Sequence, residues 1–176
     1  MKFCSFRRRD LITVSDALDV AEDATGNFYK FSADQWKRHR YEVKTLLSLS
    51  RDEISQEVFA LLNREPITVT NSKSTINRYD LYFICLQDHQ ILKALTRDRD
   101  LCLLPLLVYV FTHEFVHIVR FSNFFQRYDA SQNERDREEK IVHRTTFEIL
   151  QYLSLPKLDY VLNSYQGHRL CDMVLP

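Results

Sequence analysis

The apolar segment 101–124 constrains the fold more than any other part of this 176-residue chain. Its second half reads FTHEFVHIV and therefore carries His113, Glu114 and His117 among large apolar residues. The apolar residues recur at helical spacing, which predicts a long helix over about 105–124 with a buried face. A buried imidazole without a polar partner costs free energy, so these side chains need a ligand or a polar neighbour.

The spacing of the two histidines indicates a metal site. His113 and His117 are four residues apart, so on a helix both rings lie on one face and can reach one metal ion. Glu114 lies about 100° further round the helix and can contact a water bound to that ion. This H-E-x-x-H pattern combines two zinc ligands with a general base. The competing interpretation is two satisfied core histidines beside an exposed Glu114.

The residues around HEFVH resemble the zincin metalloproteases, because apolar flanks are followed within a few dozen residues by a glutamate-bearing helix. The resemblance covers about 80–153 and is closest to the glutamate-liganded branch, including its small single-domain members, the minigluzincins. It implies a zinc ion (Zn²⁺) as cofactor, a peptide or protein as substrate, and Glu114 as the base that activates water. The metzincin branch is excluded, since it would need Gly and His where this chain has Arg120 and Asn123.

A third metal ligand is expected from the helix predicted over about 131–153, where three glutamates compete. Glu134 completes a capping box with Ser131, which explains it as a helix-start residue. Glu138 and Glu139 fall within about 60° of the centre of the apolar face, on opposite sides, so periodicity does not separate them.

His143 favours Glu139, because it follows that glutamate by four residues and so stacks beside it. The resemblance to gluzincins points the same way, since the residue four after their ligand is often polar and braces the site. The predicted metal ligands are therefore His113, His117 and Glu139, with Glu138 as the alternative. His143 is the first choice for the oxyanion donor or for a brace. The other candidate donors are Arg120, Tyr128 and Tyr165.

The remaining patterns predict a helix-rich α+β fold in a single domain, 1–176. Capping boxes at Ser32-x-x-Gln35 and Ser50-x-x-Glu53 predict two helices, which together with a short helix at about 14–23 make 1–66 a helical part. Residues 67–100 are expected to form strands, with YDLYFICLQ in the sheet and HQILKAL as a third strand or a turn. The metal-site helices, including a last one after Pro156, occupy 101–176. The resemblance implies a small antiparallel or mixed sheet packed on the central helix.

Composition excludes several classes of protein. Lys plus Arg and Asp plus Glu number 24 each, so no nucleic-acid partner is expected. Two glycines cannot build a phosphate loop. Four cysteines without a C-x-x-C pair, and an N-terminus without an apolar core, predict a cytoplasmic protein. The apolar run 101–111 contains Pro105 and is too short to span a membrane, which needs about 20 residues.

These observations predict a small zinc-dependent peptidase. The alternative is a zinc-dependent regulatory module that binds or clips one protein partner, such as a transcriptional repressor, with little general peptidase activity. A basic helix at 36–44 would serve its docking. A third hypothesis is a helical interaction domain without metal.

Overall fold

The chain adopts the predicted helix-rich α+β fold in a computed structural model, which describes residues 3–70, 76–123, 131–165 and 171–173. Two single turns of 3₁₀ helix lie at Leu46–Ser48 and Arg51–Glu53. The other elements within the described residues are, in order, α1 (Arg8–Tyr29), α2 (Ala33–Trp36), β1 (Tyr41–Lys44), β2 (Ala60–Thr70), β3 (Ile76–Leu86), α3 (Asp88–Arg97), α4 (Leu103–Ser122), α5 (Gln132–Leu150), α6 (Leu158–Tyr165) and β4 (Cys171–Met173).

Helix α4 is the centre of the core. Sixteen of its 20 residues are buried, so it is covered nearly all round rather than along one stripe. Helices α1, α5 and α6 pack against it, and Phe121 stacks on Tyr82 of β3 with 6.2 Å between ring centroids. The predicted central helix is therefore confirmed, and its polar side chains lie inside the protein.

The sequence argument that this segment is too short for a membrane span was wrong. Among the described residues, α4 passes a test for membrane-spanning length and apolarity, with a mean hydropathy of 1.3 over its best window. Of that window, 83% is buried inside the protein. The core helix of a soluble protein passes the same test, so this is weak evidence for a membrane helix.

The sheet is mixed, as expected, with the strand order β1-β3-β2-β4. Strands β2 and β3 form an antiparallel hairpin, whereas β1 runs parallel to β3 and β4 parallel to β2. Leu62, Tyr82 and Ile84 belong to the main core, and Leu61 and Cys85 pack in a small second cluster. Strand β3, which contains most of YDLYFICLQ, is interior over its last residues, so β1 lies at an edge of the sheet.

The two helices predicted from capping boxes were largely wrong. Both boxes exist, but the Ser32 box opens a helix of only four residues and the Ser50 box a single 3₁₀ turn. Residues 41–44 and 60–70 instead pair with β3. A capping box satisfies only the first amides of a helix, so strand pairing determines the structure of the residues beyond it. The predicted docking helix at 36–44 is thus a turn and a strand.

Three further boundaries differ from the sequence expectations. HQILKAL was expected as a strand or turn but forms α3, with Asp88 in its first turn. Helix α1 is longer than the predicted 14–23 and runs through Gly26 to Tyr29, ending at Lys30 in a left-handed conformation. Pro66, expected to end a helix, lies in β2 beyond the short stretch paired with β4, where a missing amide is tolerated.

Candidate metal centre

Four side chains from two helices meet in the core. Helix α4 contributes His113 and His117, and α5 contributes Glu139 and His143, each pair being one helical turn apart. Glu139 Oε1 lies 3.1 Å from His113 Nε2 and 3.2 Å from His143 Nε2. The other oxygen, Oε2, lies 3.2 Å from His117 Nε2. One carboxylate therefore contacts three imidazoles.

These separations match those of atoms that share one metal ion. His113 Nε2 and His117 Nε2 lie 3.2 Å apart, and each is at a similar distance from an oxygen of Glu139. Ligand atoms placed tetrahedrally around zinc at about 2.0–2.1 Å lie about 3.3 Å from one another. Two imidazole nitrogens and a carboxylate are also a donor set that zinc prefers. The three predicted ligands are thus brought together at ligand spacing.

The hydrogen bonding of this cluster is incomplete without an ion. Glu139 Oε1 and His143 Nε2 are buried, and neither has a hydrogen-bond partner among the described residues despite its close neighbours. Polar atoms that approach to about 3.2 Å without hydrogen-bond angles are expected where several donors point at a common centre. Buried polar atoms left in this state are costly, and a bound cation would satisfy them. The residues therefore fit a zinc ion.

The protonation states also suit metal binding. Burial lowers the pKa of His113 to about 4, so its ring is neutral at pH 7. Burial raises the pKa of Glu139, but the charge of His113 and the close contacts with the three imidazoles lower it more, to well below its ordinary value. Neutral imidazoles and an ionised carboxylate are the forms that bind metal.

The structure separates the three candidate glutamates. Glu134 accepts hydrogen bonds from Ser131 at the start of α5, as the capping box predicts. Glu138 is buried and forms an ion pair with Arg120 of α4. Of the three, Glu139 alone lies beside the histidines. The Arg120–Glu138 pair also joins α4 to α5 next to the cluster.

Tyr109 is a site residue that the sequence reasoning counted only as part of the apolar stripe. Its hydroxyl lies 2.9 Å from Nδ1 of His143, and the phenol is buried. This contact leaves Nε2 of His143 facing Glu139. The available signal was the spacing, since Tyr109 lies one turn before His113 on the same face of α4.

Glu114 is fully buried, as is His113, with 0% of each side chain exposed. The competing interpretation of the motif expected an exposed Glu114, and the structure contradicts that part of it. Among the candidate oxyanion donors, His143 is the one in the cluster. Arg120 pairs with Glu138, and Tyr165 lies near Phe59 with 5.6 Å between ring centroids. Tyr128 lies outside the described residues.

No family model, curated protein or solved structure matches this chain. The resemblance to zincins therefore rests on the motif and on the residues described above.

Acid should destabilise the metal-free protein. In the unfolded chain His113 takes up a proton near its ordinary pKa of 6.5, whereas the folded ring does so only near 4. Between these pH values the unfolded state binds more protons, so the free energy of unfolding falls with pH, by up to about 3 kcal/mol from this residue. The lowered pKa of Glu139 extends the loss to more acid pH. Urea denaturation in chelator from pH 7 to 4 measures this, and an equal slope in His113→Gln would contradict it.

Adjacent glutamates provide a matched test of the cluster. Glu139→Gln removes a charged ligand and should raise the dissociation constant for zinc at least about 100-fold. Glu138→Gln breaks only the ion pair with Arg120, so it should lower the melting temperature but leave zinc affinity within about threefold of the parent. Competition with a chromophoric chelator measures both constants. Equal effects of the two substitutions, or the larger one at Glu138, would contradict the assignment.

Proposed function

We propose that this protein is a zinc-dependent peptidase in which His113, His117 and Glu139 hold the metal. The observation that carries the proposal is the position of Glu139, on a separate helix, at 3.1 and 3.2 Å from the imidazoles of the H-E-x-x-H motif. A chance match to the motif does not require a carboxylate from the next helix at this place. The helix-rich α+β fold is consistent with the same class of enzyme.

Glu114 is the general base of the proposed reaction. Zinc bound at the centre would supply Lewis acidity and lower the pKa of a coordinated water. The Glu114 carboxylate accepts the proton of the attacking water and then donates it to the departing amine nitrogen. Its burial keeps bulk water from competing for that proton, and its place beside His113 on α4 fixes its distance from the metal ligands.

Strand β1 is the proposed guide for an extended peptide substrate. Within the described residues β1 pairs with β3 alone, so its other edge can accept a strand by backbone hydrogen bonding. Tyr41 of β1 contacts Phe115, with 4.9 Å between ring centroids, and Phe115 lies between the two motif histidines on α4. The edge strand is therefore adjacent to the helix that carries the motif.

A second candidate is the regulatory module that binds or clips one protein partner. The burial of the centre favours it, because His113 is fully covered and His117 nearly so. A peptidase that accepts many substrates needs an open cleft, whereas one dedicated partner can open a covered site by binding. The cytoplasmic location stays a prediction in either case.

Glu114→Gln tests the proposed chemistry. The variant should keep one zinc per chain but lose at least about 100-fold in hydrolysis, since the amide cannot accept the proton. Turnover of a quenched fluorescent peptide library, with elemental analysis of the same samples, measures both properties. A variant that cleaves as well as the parent would refute the mechanism. A zinc-loaded parent that cleaves none of the library would support the regulatory module.

A further inference from the structure

Helices α4 and α5 each present two donors to the same centre at the same spacing. On α4 the pair is His113 and His117, and on α5 it is Glu139 and His143. The ligand atoms of His113, Glu139 and His143 all lie within 4.8 Å of one another. The rings of His113 and His143 are 4.6 Å apart between centroids. His143 is therefore as much a part of the cluster as the motif histidines are.

The orientation of the His143 ring is fixed from its far side. The Tyr109 hydroxyl lies 2.9 Å from Nδ1, which leaves Nε2 directed at Glu139 Oε1, 3.2 Å away. A neutral ring with a hydrogen on Nδ1 donates it to the Tyr109 oxygen and has a free electron pair on Nε2. That tautomer is the one a metal-binding Nε2 requires, and hydrogen bonding at the other nitrogen normally selects it.

The other two roles considered for His143 fit these contacts less well. A brace would donate a hydrogen bond from Nε2 to the carboxylate, yet Nε2 makes no hydrogen bond among the described residues. An oxyanion donor would need a proton on Nε2 as well, which the Tyr109 contact does not favour in the neutral ring. A buried nitrogen with a free electron pair next to three metal-binding groups is explained by ligation.

We propose that His143 is a fourth protein ligand, so that the resting metal centre is closed by two residues from each helix. This inference rests on the proposed zinc site and adds a regulatory property to it. A centre with four protein ligands resembles structural zinc sites, which have no open position for water. Hydrolysis then requires that His143 leave the metal or that the metal accept a fifth ligand. Tyr109 is the positioning residue that holds His143 in the closed state.

Zinc K-edge X-ray absorption of the zinc-loaded protein tests this directly, because it counts imidazole ligands without any assay of activity. The parent should show three imidazoles, and His143→Ala should show two with an added oxygen ligand, or lose its zinc. His89→Ala is the matched control, since His89 is 8% exposed against 7% for His143 and contacts Ser55 instead of the cluster. It should retain three. Two imidazoles in the parent would overturn the proposal even if no variant folds.

Tyr109→Phe tests the positioning role. Loss of the hydroxyl should raise the dissociation constant for zinc by about 10-fold while three imidazoles remain. An unchanged constant would refute the role of Tyr109. A parent that binds no added zinc refutes the proposed function together with this inference, whereas zinc held by two imidazoles refutes the fourth ligand alone.

Discussion

The contact of the Glu139 carboxylate with three imidazoles is the interaction on which the centre of this protein depends. It lies between α4 and α5, where the histidines are nearly or fully covered. A buried carboxylate among neutral rings is costly unless a positive charge compensates it. A zinc ion would supply that charge and join the two helices. Packing of the core and metal binding are therefore expected to be coupled.

Groups around the cluster determine which atoms face it. The Arg120–Glu138 ion pair holds α5 against α4 close to the site. Tyr109 sets the ring of His143 from the opposite side. Two consecutive glutamates thus have different tasks, one in the helix interface and one in the centre. Such support explains how a chain of this size can hold several ionisable groups in its core.

The motif helix and its partner could be predicted from the sequence, since i and i+4 spacing on an apolar face fixes which side chains meet. Periodicity could not separate Glu138 from Glu139, because the decision depends on where Arg120 lies across the interface. The helices expected after Ser32 and Ser50 failed for a similar reason. Their capping boxes are local signals, whereas pairing of 41–44 and 60–70 with β3 is a tertiary interaction. Tyr109 was overlooked because a phenol in an apolar stripe also reads as core.

The central claim is that His113, His117 and Glu139 surround a metal ion. Diffraction from crystals of the zinc-loaded protein, recorded on both sides of the zinc absorption edge, tests it most directly. The account predicts one strong anomalous peak per chain, within about 2.0–2.2 Å of both Nε2 atoms and of a Glu139 oxygen. A cluster without such a peak, in which Glu139 is hydrogen-bonded directly to protonated imidazoles, would contradict it.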